Sequence, residues 1–197
     1  RKLDLSSIKI ITSTGSPLAE ESFKYVYENI NQNVHLASIA GGTDLVGCLV
    51  LGNLFSNVYK GEIQGQSLGI DVDVFTNEGK STLDGDKGEL VVKKPFPSMP
   101  VKFWGDNNGQ KYHKAYFTKF ENIWHHGDFI ERTSNNGFIM RGRSDSTLNP
   151  GGVRIGTSEI YQQVEDIDFI TEGLVIGQDF KDDVRIILFV TTKDNQK

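Results

Sequence analysis

The sequence predicts an α/β unit, then a β-rich, barrel-like subdomain, then the start of a separate α+β domain. Three observations carry this. Residues 8–39 read strand, helix, strand with short turns between them. From Leu45 to Met140 the pattern changes to short strands punctuated by Gly, Asn and Asp. Beyond Gly142-Arg143-Ser144-Asp145, a Pro-Gly-Gly turn leads into one helix and two strands.

Residues 8–12 (Ile-Lys-Ile-Ile-Thr) read as a short buried strand that ends at Ser13-Thr14-Gly15-Ser16-Pro17. A helix is expected over 18–30, with Pro17 in its first turn. Glu20 and Glu21 suit the N-terminal dipole, and Leu18, Phe23, Val26, Tyr27 and Ile30 form an apolar stripe. Residues 34–39 give a second strand, so the unit is a parallel crossover. Ligands in such folds sit at the carboxyl ends of strands, here the turns at Gly15 and at Gly41-Gly42. Residues 67–75 alternate as one strand, and 88–92 supply another. A basic, Tyr-rich helix is expected within 106–120, and 131–141 should be a hairpin turning at Asn135-Asn136-Gly137. The last part should hold a helix over 156–164 and strands over 170–176 and 184–192.

Bulk properties exclude some functions. The net charge of -5 argues against nucleic acid or an anionic membrane surface as partner, but leaves room for a locally held anionic small molecule. There is no apolar run near membrane-spanning length. A single cysteine, Cys48 in an apolar run, reads as a small core residue and fits a reducing, cytoplasmic setting. The start, Arg1-Lys2-Leu3-Asp4-Leu5, is no signal peptide and lacks an initiator Met, so the chain reads as entered mid-sequence.

Four polar clusters carry chemistry. Thr12 to Pro17, between strand and helix, can bring backbone amides to a flat or anionic ligand, or can be only a tight turn. Gly41-Gly42-Thr43-Asp44 joins open backbone to a hydroxyl and a carboxylate, which suits a phosphate and Mg²⁺; an Asx turn accounts for it as well. In Trp124-His125-His126-Gly127-Asp128 a zinc site is disfavoured, because adjacent histidines on an extended chain point apart. Asp128 suits a sugar diol instead. Gly142-Arg143-Ser144-Asp145 and Asn149-Pro150-Gly151-Gly152-Val153-Arg154 place two arginines around a Gly-rich loop, as donors to ribose and phosphate or as surface charges.

In order, the four clusters resemble the core motifs of the adenylate-forming superfamily of acyl-CoA synthetases, luciferases and peptide-synthetase adenylation domains. Gly15-Ser16-Pro17 resembles the Gly-Glu-Pro turn against adenine, and Gly42-Thr43-Asp44 the Gly-x-Thr-Glu motif. His126-Gly127-Asp128 is similar to Thr-Gly-Asp, and the stretch 142–160 to the long hinge motif. The resemblance implies that residues 1–143 end a large AMP-binding domain, with 1–44 its α/β crossover and 45–143 its β-rich subdomain. Residues 144–197 would begin the small C-terminal domain. It further implies Thr43 and Arg154 at the α-phosphate, Asp44 at Mg²⁺, and Asp128 and Arg143 at the ribose. Asp145 would be the hinge, Gly152 would line the path of the CoA arm, and Glu159 would support the helix after the hinge.

Within the superfamily, Ile39-Ala40-Gly41-Gly42-Thr43-Asp44, Tyr59-Lys60-Gly61-Glu62-Ile63-Gln64, Trp124-His125-His126-Gly127-Asp128 and 148–161 resemble acetoacetyl-CoA synthetases. Acetyl- and propionyl-CoA synthetases carry bulky aromatics where Gly41 stands, so Gly41 and Gly42 are expected to open the acyl pocket. The implied substrates are acetoacetate, ATP and CoA, with AMP and pyrophosphate as products. The alternatives are another short-chain acyl-CoA synthetase or a non-catalytic nucleotide-binding relative. Two residues depart from the pattern: Ser16 replaces Glu, and Asp44 is one methylene shorter than Glu, which leaves Mg²⁺ ligation through a water open. The superfamily's Lys-containing phosphate loop and its catalytic lysine near the C-terminus have no match here. The 197-residue chain is therefore expected not to form an adenylate alone.

Overall fold

The computed structural model describes residues 3–150, 153, 155–165, 167–181 and 183–193. The chain divides into two compact units, Arg1–His126 with Ile130–Met140, and Gly127–Phe129 with Arg141–Lys197. Each is described by itself.

The first unit opens with strand β1 (Ile10–Ser13), helix α1 (Glu20–Tyr25) and strand β2 (His35–Ser38), with β1 and β2 parallel and Ser13 beside Ser38. The crossover is thus present, with corrections. The helix starts at Glu20, after an extended Ala19 (φ -65°, ψ 153°), so Pro17 lies outside its first turn. Residues Val26–Ile30 adopt π geometry, closed by Asn31 N–H donating to the Val26 carbonyl at 3.0 Å. Phe23 is the buried residue of the helix. β1 is only half covered: Ile10 is 53% exposed, because β1 and β2 make a two-stranded sheet among the described residues.

Two antiparallel sheets follow. β3 (Ala40–Gly42), β4 (Gly47–Leu51) and β5 (Gly65–Gln66) form one. β6 (Val72–Phe75), β7 (Lys87–Val92), β8 (Trp124–Arg132) and β9 (Phe138–Arg143) form the other, in that order. The single strand expected over 67–75 is broken, because Gly69 takes φ +78° and Ile70 N–H turns back to the Ser67 carbonyl at 3.3 Å. Asn136 in the left-handed region (φ 61°) closes the expected β8–β9 hairpin. Helix α2 (Gln110–Tyr116) falls within the stretch expected to hold a helix, its start fixed by Tyr112 N–H donating to the Asp106 carboxylate at 2.8 Å.

Alternation on β6 and an unbroken apolar run on β7 bury Val72, Val74, Leu90 and Val92 in one core with Leu45, Leu49, Ile63, Phe96, Tyr116, Trp124 and Phe138. Cys48 belongs to β4, half-buried, and burial pushes its thiol above the ordinary range. That favours the neutral thiol over a nucleophilic thiolate.

In the second unit a short 3₁₀ turn (Ser144–Ser146) precedes helix α3 (Thr157–Glu165) and the antiparallel hairpin of β10 (Ile170–Phe180) and β11 (Asp183–Thr192). Both strands run beyond the expected limits, since pairing continues to Phe180 and Asp183. The Glu159 carboxylate accepts Gly156 N–H at 3.0 Å, half of a capping box, in agreement with a supporting role for Glu159. None of the described helices is long and apolar enough to cross a membrane.

Candidate functional site

Parallel pairing puts Gly15, Ser16 and Pro17 just past the carboxyl end of β1, beside the end of β2, where Ile39 N–H donates to the Ser13 carbonyl at 3.0 Å. Gly15 has φ +94° and open space where a side chain would be, so the turn needs glycine for its backbone path rather than for room.

Gly41 and Gly42 are not a turn at a strand end, as expected, but the end of β3, paired antiparallel with Gly47 and Cys48 across a register shift. A Cβ at Gly41 would overlap the Gly47 carbonyl oxygen and lie 2.6 Å from Cys48 Cα. Gly41 therefore faces backbone, and its missing side chain does not by itself vacate a cavity.

Thr43 and Asp44 are exposed in the β3–β4 connection. Asp44 folds back over Gly42, and Oδ2 accepts the Tyr116 hydroxyl at 2.5 Å. Tyr116 is buried and stacks on Trp124, with centroids 3.6 Å apart and planes at 14°. The Trp124 indole N–H points at His126 Nδ1, 3.4 Å away, and His126 Cε1 lies 3.0 Å from the place of a Gly42 Cβ. These contacts close a ring of Gly42, Asp44, Tyr116, Trp124 and His126. Burial, the hydrogen bond to Asp44 and that carboxylate's charge hold the Tyr116 phenol far above its ordinary pKa.

The two histidines point apart: His125 Nε2 meets the buried Glu89 carboxylate at 2.9 Å, whereas His126 faces Trp124. Among the described residues no three His, Cys, Asp or Glu side chains are grouped to hold a metal ion. Asp44 nevertheless fits Mg²⁺, which needs only one or two protein carboxylates when phosphates and waters complete its octahedron. Its carboxylate is exposed, and only Oδ2 is engaged by Tyr116 among the described residues. Trp124 also borders a cavity of about 430 Å³ walled by Val92, Met99, Tyr112 and Phe117; none of the residues chosen from sequence lines it.

In the second unit Arg143 Nη1 donates to Asp128 Oδ1 at 3.1 Å, and Arg143 Nε lies 3.7 Å from Asp145 Oδ1. Asp128 is buried and Arg143 half-exposed, so a guanidinium at the surface sits over an anchored acid. Gly127 has φ +84°, and a Cβ there would come 2.6 Å from Arg143 Nη2. Asp145 lies exposed in the 3₁₀ turn. Gly152 and Arg154 fall outside the described residues.

Sequence reasoning missed Tyr116 and Trp124 as partners of the Asp44 loop. The Tyr-rich stretch was visible, but not which residue it faces.

No protein-family model matches the chain. It is 60% identical over 190 residues to an acetoacetyl-coenzyme A synthetase of Rhizobium meliloti, covering 96% of this chain and 29% of that protein. It is 48% identical over 192 residues to an acetoacetyl-CoA synthetase of Xenopus tropicalis, again over 96% of this chain and 28% of that one. The solved acetoacetyl-CoA synthetase of Streptomyces lividans matches with a TM-score of 0.87 and 38% identity, over 99% of this chain and 30% of its own. A benzoate CoA ligase of Burkholderia xenovorans shares the fold at 22% identity and a TM-score of 0.76, over 97% of this chain and 36% of its own. The chain thus spans less than a third of the length of the synthetases it matches. Over this segment the chain is homologous to acetoacetyl-CoA synthetases, and it carries part of the acyl-CoA synthetase fold.

Proposed function

We propose that the protein carrying this segment ligates acetoacetate to coenzyme A at the expense of ATP, through an acyl-adenylate. The observation that supports this most is the similarity to the Streptomyces lividans acetoacetyl-CoA synthetase over 99% of the chain. In the first half-reaction a carboxylate oxygen of acetoacetate bonds to the α-phosphorus while the bridging P–O bond to pyrophosphate breaks. In the second, the CoA thiolate bonds to the acyl carbon and AMP leaves. Both steps depend on positioning and on offsetting negative charge.

In this reading the Gly15-Ser16-Pro17 backbone lies against adenine. Asp128 accepts the ribose hydroxyls while Arg143, already on Asp128, holds that acid in place and donates to the same sugar. The Thr43 hydroxyl and the Arg154 guanidinium face the α-phosphate, Gly41 and Gly42 edge the acyl group, and Gly152 lets the CoA arm pass. Asp44 is the residue that would hold Mg²⁺, which when bound supplies positive charge beside the phosphates. Asp145 is the hinge between residues 1–143 and 144–197. A cytoplasmic setting, with small molecules as partners, goes with this chemistry. The family's phosphate loop and catalytic lysine have no counterpart in the 197 residues, so adenylation requires a protein that supplies both.

The test is ATP–pyrophosphate exchange by the full-length protein that contains this segment, alongside the 197-residue chain. Exchange that depends on acetoacetate, in the longer protein only, is expected. Exchange driven by acetate or benzoate but not acetoacetate would overturn the substrate. Exchange by the 197-residue chain alone would overturn its dependence on the phosphate loop and lysine.

A further inference from the structure

We propose that Tyr116 is a positioning residue for Asp44: its buried hydroxyl pins one carboxylate oxygen so that the other is presented to a phosphate-bound divalent cation. This rests on the reading above in which Asp44 is the acid at the ion. The geometry is specific. Asp44 is exposed on a connection between strands, where an unrestrained side chain would sample several rotamers. Tyr116, by contrast, is 8% exposed at the end of α2 and held on several sides. It stacks on the 2%-exposed Trp124 and meets Phe103 and Tyr112 edge-on at 5.6 and 5.4 Å. Its hydroxyl is therefore a fixed point, and Asp44 Oδ2 accepts from it at 2.5 Å.

A carboxylate that binds a metal is commonly fixed by a hydrogen bond on its other oxygen, and loss of such a partner weakens the metal by roughly 10–100-fold.

The test uses Mn²⁺ as the probe cation, followed by electron paramagnetic resonance on the full-length protein with AMP and pyrophosphate present. Tyr116→Phe keeps the ring stack and removes only the hydroxyl. We expect about tenfold weaker Mn²⁺ binding in Tyr116→Phe, by the loss typical of such partners. A similar or larger loss is expected in Asp44→Asn, with no further loss in the double variant, since the two act as a unit. The Mg²⁺ concentration for half-maximal pyrophosphate exchange should rise in parallel while the KM for acetoacetate holds. Weakening by Asp44→Asn but not by Tyr116→Phe would overturn the positioning role alone. Unchanged Mn²⁺ binding in Asp44→Asn would overturn the role of Asp44 and this proposal with it. A Tyr116→Phe variant that only lowers the Tm would show the hydroxyl to be structural.

Discussion

Arg143 lies over Gly127, its Nη2 2.6 Å from where a Cβ on that residue would sit, and from there it reaches Asp128 at 3.1 Å. Two demands meet on Gly127: a positive φ of +84° and empty space under a guanidinium. Gly127→Ala must accept the left-handed backbone, at a cost of about 1–2 kcal/mol, and displace the arginine. We predict a lower Tm and a larger loss of AMP affinity, measured by calorimetry, than backbone strain alone would give. A smaller effect on AMP than on the Tm would separate Arg143 from ribose binding.

Glu89 is fully buried, with Lys119 Nζ 2.5 Å from Oε1 and His125 Nε2 2.9 Å from Oε2. The partners are not equivalent, since the Lys119 side chain is about one-third exposed while Glu89 has no exposure. In Glu89→Gln the lysine can turn to water, so the expected cost is about 2 kcal/mol, that of lost charged hydrogen bonds. In Lys119→Met the carboxylate keeps its burial and loses its cation, for which about 3–5 kcal/mol is expected. Urea unfolding of both variants checks the order, and the reverse order would mean that Glu89 is not held as an anion.

Gly41→Ala is predicted to disturb the β3–β4 pairing, because its Cβ overlaps the Gly47 carbonyl oxygen and approaches Cys48 Cα. Gly41→Trp should therefore lower solubility and Tm before it changes acyl preference. A folded Gly41→Trp protein that exchanged acetoacetate for acetate would instead restore Gly41 as the wall of the acyl pocket.

Gly41 also shows where sequence reading stops. That a glycine stands before Thr43 and Asp44 is plain from the chain, but its reason is a strand partner at residues 47–48 across a register shift. The crossover of β1, α1 and β2 was legible because its apolar spacing is local. The π geometry at Val26–Ile30 was not, since it lengthens a turn without changing the stripe. Gly15, Asp44, Asp128 and Arg143 could be chosen from motif order alone. Tyr116 could not, because its contact with Asp44 joins residues 72 apart and leaves no spacing to read.

Asp73 gives a pH dependence whose sign can be worked out. It is buried on β6, and burial taken alone would raise its carboxyl. Donors from Ser81 Oγ and Val74 N–H, each at 2.8 Å, and from Lys93 at 3.1 Å outweigh this and hold it below the ordinary carboxylate range. Arg132 Nη2 adds a contact at 2.5 Å. A carboxyl depressed in the folded state binds its proton more readily when unfolded. Its stabilisation is fully present above the unfolded value of about 4 and is lost as pH falls through the folded value. Asp73→Asn should therefore lose about 1–3 kcal/mol at pH 7. The gap to the wild type should narrow as the pH is taken below about 4, where the Asp73 carboxyl of the unfolded chain takes up its proton before that of the folded protein does. Urea midpoints for the two proteins at pH 7, 4 and 3 decide the matter: a gap that stayed constant would assign the stability to hydrogen bonding indifferent to charge, and a gap that widened in acid would reverse the sign.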